Sequence, residues 1–102
     1  MKKKRVKPII TKNALELAEA LGLTPADAIE IEVRSKLNDK IIEIVKKLKL
    51  THMQVAKLAK TSRTRVTAIL NRNTHDVSTD LMLRILGSLG YKANISFSRA
   101  AA

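Results

Sequence analysis

Few residues in this chain are suited to covalent chemistry. The 102 residues include two histidines, His52 and His75, nine carboxylates and no cysteine. Acid–base catalysis needs such a group held within hydrogen-bond reach of a partner. No spacing gathers carboxylates or serines around either histidine, and Asp76 beside His75 is an ordinary loop pair. A non-enzyme is expected. Two isolated histidines without cysteine make no zinc ligand set. None of the three glycines belongs to a phosphate-cradling loop. No metal and no cofactor is therefore expected.

What the chain does carry is positive charge. Twenty lysines and arginines against nine acids leave a net charge of +11. The bias is sharpest in the middle. Between Ile44 and His75 the charged residues are Lys46, Lys47, Lys49, Lys57, Lys60, Arg63, Arg65 and Arg72, all basic. A merely solvated face mixes signs, so this one favours an acidic polymer. RNA modules stack bases on aromatics, and the basic region has none. A lipid surface would call for Trp or Phe on a face opposing the Lys46 to Lys49 cluster, and that stretch has neither. No apolar run approaches the roughly 18 residues of a membrane span. Double-stranded DNA is the polyanion that fits, and a cytoplasmic location is consistent with the absence of cysteine.

The elements that must position these charges are helical. Nearly half the residues are apolar, but Tyr91 and Phe97 are the only aromatics, so the core must be aliphatic. Residues 1–12 form a basic arm (Lys2, Lys3, Lys4, Arg5, Lys7) with Pro8, expected to be flexible. Residues 13–102 are expected to make one domain. A helix over 13–21 ends at Gly22. Thr24-Pro25-Ala26-Asp27 is a helix start, with Thr24 as cap and Asp27 reaching back. Ile29, Val33, Leu37, Ile41, Ile44 and Leu48 then recur at helical spacing, which predicts a long helix over 25–49. Asn38-Asp39, both poor helix formers, is its expected weak point.

Thr51 caps a short helix over 52–59, Lys60-Thr61 turns, and Ser62 caps a second over 63–70. A polar loop follows, then a helix from Ser78 or Thr79 to Leu89 with Leu81, Met82, Ile85, Leu86 and Leu89 on one stripe. In residues 91–98 the period changes. Tyr91, Ala93, Ile95 and Phe97 alternate with polar residues, which predicts a half-buried strand. The chain offers it no partner strand, so its edge is expected to pair with a second copy, and these four residues are the expected dimer contact.

On the helix over 63–70, Val66, Ile69 and Leu70 share one arc. Arg63, Thr64, Thr67, Ala68 and Asn71 lie opposite, with Arg65 at the edge. Small residues let such a face sit in a major groove. Arginines in its first turn reach guanine, and threonine or alanine meets a thymine methyl. Arg63, Thr64, Arg65, Thr67 and Ala68 are therefore the expected base readers. Thr51, His52 and Ser62 stand where helix N-termini offer amides to phosphate, and Lys60 and Arg72 add charge beside them.

These segments carry a resemblance. LGLTPADA, LTHMQVAKLA, TSRTRVTAILN and VSTDLMLRILGSLGYKANISFS together resemble the Xre and Cro repressor family, and within it the HigA-like antitoxins. The resemblance covers roughly residues 21–98. It implies a mainly α, lambda-repressor-like helix-turn-helix domain, with the motif at 51–71 and a C-terminal β-strand at 91–98. It implies phosphate contacts at His52 and at Asn71, and base readers within residues 62–68. It also implies a homodimer on a palindromic operator and a ribonuclease toxin as partner. A free-standing regulator without a toxin, and a protein that only inhibits another protein, stay open as alternatives. Lys60 departs from the glycine usual at the turn. A left-handed residue with a Cβ costs roughly 1–2 kcal/mol, so a differently shaped turn is expected there.

Overall fold

The computed structural model describes residues 20–99. The predicted arm at 1–12 and residues 13–19 of the first predicted helix lie outside them. Among the described residues four full helices follow: α1 (Pro25–Leu48), α2 (His52–Ala59), α3 (Arg63–Leu70) and α4 (Thr79–Ser88). The chain divides into two compact units, residues 1–36 and 37–102.

In the first unit, Gly22 takes a left-handed conformation, φ +77°, as a C-terminal helix cap does. The start of α1 is closed reciprocally. The Asp27 amide donates to Thr24 Oγ1 at 3.1 Å, and the Thr24 amide donates to Asp27 Oδ2 at 3.0 Å. That backbone N–H, with the Thr24 hydroxyl, holds the Asp27 carboxyl below its ordinary pKa. The cap is thus present above the normal carboxylate range and lost as pH falls through the lowered value. Here the predicted apolar stripe needs correction. Ile29 and Val33 are exposed, while Ala28 is buried.

The second unit holds the main core. Leu37, Ile41, Ile44 and Val45 of α1 join Val55, Ala56 and Ala59 of α2, Val66 and Ile69 of α3, and Leu81, Met82, Ile85 and Leu86 of α4. Leu48, the last member of the predicted stripe, is half exposed, because the turn at Lys49 ends α1 one residue later. α2 packs on α3 and on α4. Each short helix has a side-chain cap. Thr51 Oγ1 accepts from the Gln54 amide, Ser62 Oγ from the Arg65 amide and Ser78 Oγ from the Leu81 amide. Such caps contribute about 1 kcal/mol each. Gln54 also returns its carbonyl to the Thr51 amide at 2.8 Å, completing a capping box.

Asn38 and Asp39 do not weaken α1, which runs unbroken through them. Asn38 is buried, and its Nδ2 donates to the Ile69 carbonyl at 2.8 Å. Asp39 accepts from Arg72 Nη1 at 2.6 Å. Both poor helix formers are spent on holding the C-terminal end of α3.

The predicted strand is absent. Residues 91–99 carry no strand and are exposed throughout, Ile95 and Phe97 among them. A strand exists through its ladder, and the described residues supply no second strand to bond with. The alternation of Tyr91, Ala93, Ile95 and Phe97 is real in the sequence but faces no core. Tyr91 is tied in, with its backbone amide on the Leu86 carbonyl and Lys40 Nζ 5.9 Å from its ring centroid.

Candidate nucleic-acid interface

The site is built by the α2–turn–α3 pair. The turn at Lys60 corrects the expectation of an altered shape. Lys60 itself adopts the left-handed conformation, φ 56° and ψ 50°. Its amide caps α2 on the Ala56 and Lys57 carbonyls, and the Thr61 amide reaches Ala56 at 3.0 Å. The bonds closing the turn are strong enough to hold a lysine where glycine would sit without strain. Lys49 and Arg72 take the same conformation at the ends of α1 and α3.

From this turn α3 emerges with Val66 and Ile69 buried and Leu70 partly so. Arg63, Thr64 and Arg65 are exposed, so three of the expected base readers stand free of the core. Thr67 and Ala68 are half-buried. Ala68 packs against the core, and Thr67 Oγ1 lies 2.7 Å from His52 Nδ1. The expected readers therefore divide. Arg63 shares a shallow cleft with Thr51, His52 and Met53. Thr64, Arg65 and Ala68 share another, of about 450 Å³, with Ser62 and the loop residues Asn73, His75, Asp76 and Val77.

The expected phosphate contacts divide as well. Thr51, His52 and Ser62 sit at the helix starts beside those arginines. Lys60 is exposed at the turn between them. Asn71 is exposed after α3, and its amide caps the Thr67 carbonyl at 3.0 Å. Arg72 is engaged elsewhere, in the ion pair with Asp39. Residues 73–77, read in the sequence as a connecting loop, come to border the α3 face. His75 Nε2 lies 3.2 Å from Asp76 Oδ2 there, both well exposed. No periodicity marks such a loop, and only the return of the chain past α3 reveals it. The Asn73 amide on the Ala68 carbonyl, at 2.8 Å, fixes that return.

The electrostatics of α3 run against helix stability. A helix N-terminus favours Asp or Glu, by about 0.3–1 kcal/mol each. The first turn of α3 has no acid, nor has that of α2, and α3 places Arg63 and Arg65 there instead. Among the described residues neither arginine has an ion-pair partner. A bound anion would relieve both the cationic first turn and its unspent amides. Among the described residues no cluster of side chains could hold a metal, and no helix is long and apolar enough to cross a membrane.

A family model described as a helix-turn-helix domain matches residues 19–98. No curated protein and no solved structure matches the chain.

Proposed function

Because the chain belongs to the helix-turn-helix domain family, we propose that it is a sequence-specific transcriptional repressor that reads double-stranded DNA with α3. The observation that carries this reading is the exposed pair Arg63 and Arg65 in an α3 first turn without acid. That turn lies within a stretch whose charges are all basic. Arg63, Thr64, Arg65 and Ala68 face base edges. Thr51, His52, Lys60, Ser62 and Asn71 grip phosphate and set the register. Two copies bind a palindromic operator with their α3 helices one DNA turn apart, about 34 Å. Ile95 and Phe97, 75% and 93% exposed, are apolar surface that a second copy would cover. The protein works in the cytoplasm, where its DNA is.

The finer reading is an antitoxin of the Xre type that binds its own promoter and neutralises a ribonuclease toxin. Its support is the resemblance of residues 21–98 to HigA-like antitoxins. The test is co-expression with the adjacent small open reading frame. The expected result is that this product arrests growth alone and that co-expression restores growth. A neighbour harmless by itself, or still toxic beside this protein, leaves a free-standing regulator.

A further inference from the structure

Resting on the DNA reading above, we infer that Thr67 is a positioning residue that sets the His52 ring to take a DNA phosphate, and is not itself a base reader. The two side chains meet across the α2–α3 pair, Nδ1 to Oγ1 at 2.7 Å, and both are half-buried. In the inferred arrangement the Thr67 hydroxyl donates to Nδ1, the direction that the tautomer test below reads. A neutral imidazole has one N–H, so an Nδ1 that accepts puts the proton on Nε2. Nε2–H is then the ring's remaining donor, and a phosphate oxygen is an acceptor that suits it. His52 lines its cleft with Thr51, Met53 and the exposed Arg63, beside the amides of the first turn of α2. Without the hydroxyl, the ring could rotate or carry its proton on Nδ1, leaving a lone pair to repel the anion. The same bond removes Thr67 from base reading. Its hydroxyl is spent inward, while Thr64, one turn earlier, is exposed and stays available to the groove.

The test uses Thr67→Val, Thr67→Ser and His52→Ala in the full chain. In the free protein, nitrogen NMR of the His52 ring should report the Nε2–H tautomer in the parent and in Thr67→Ser, and lose it in Thr67→Val. Binding is then measured on a duplex that the parent enriches from a random library and on a scrambled duplex. Thr67→Val and His52→Ala should each weaken both duplexes by a similar factor, about tenfold, the scale of one hydrogen bond to a charged group. The double variant should be no worse than either single one, and Thr67→Ser should retain parental binding. Three results overturn the inference: an Nδ1–H tautomer in the parent, additive losses, or a Thr67→Val that changes preference at one base pair while leaving the scrambled duplex untouched. A parent that binds no duplex sinks the phosphate role together with the DNA reading, and the tautomer then decides the ring lock alone.

Discussion

Arg63→Ala and Arg65→Ala should each weaken binding to the selected duplex and relax preference at one base pair, without changing the fold. An arginine paired bidentately with guanine is worth about 1–3 kcal/mol of discrimination, so each loss should lie between roughly fivefold and a hundredfold. Both side chains are exposed and neither has an ion pair among the described residues, so truncation removes no contact seen to hold the folded chain. The Ser62 cap of α3 uses the Arg65 amide, which alanine keeps. Stability should stay within about 0.5 kcal/mol of the parent, as for most surface substitutions. It could rise slightly, since a cation leaves the positive end of α3. Competition binding against single-base variants of the duplex reads the effect. If both variants bind and discriminate as the parent does, α3 is not the reading helix.

Ile85→Ala should be the most destabilising single change outside the reading face. Ile85 is 0% exposed, in the middle of α4. Truncating such a side chain removes apolar burial and leaves a cavity, for about 2–5 kcal/mol. In a unit this small that is a drop in Tm on the order of 10–30 °C. It is also a large part of a stability that is typically about 5–15 kcal/mol. The reason is architectural. α2 and α3 are eight residues each and cannot bury a core alone. Leu37 to Val45 of α1 and Leu81 to Leu86 of α4 close it. Leu83→Ala on the same helix, at an exposed position, should cost under about 1 kcal/mol. Thermal unfolding followed by circular dichroism compares the two. Equal shifts would mean that α4 is not what closes the core.

What the sequence made legible was mostly local. Thr51, Ser62 and Ser78 cap helices through amides three residues away, so their role is readable in a short window. The stripe on α4 is readable for the same reason, since one face meets one core. Asn38 and Asp39 read locally as a weakness because their partners lie 31 and 33 residues away. The left-handed Lys60 is not legible locally, because the conformation of a turn depends on whether its capping bonds outweigh a Cβ clash, and residue type gives only the clash. Ile29 and Val33 kept helical spacing yet stand exposed, since periodicity marks a face without saying what covers it. Alternation over residues 91–98 likewise marks a strand only where a second strand exists. Within the candidate site, residue type and helical phase were enough to find Arg63, Thr64 and Arg65 on the open face. The commitment of Thr67 to His52, and of Arg72 to Asp39, depends on tertiary distance alone.

In the proposed function this basic helix-turn-helix face binds the DNA backbone and reads bases from it. Affinity for the selected duplex, measured across a series of salt concentrations, tests it most directly. The expected result is a linear fall of log affinity with log salt, at about −0.9 per phosphate neutralised, with the scrambled duplex weaker at every salt concentration. A flat salt response, or equal affinity for the two duplexes, would contradict it.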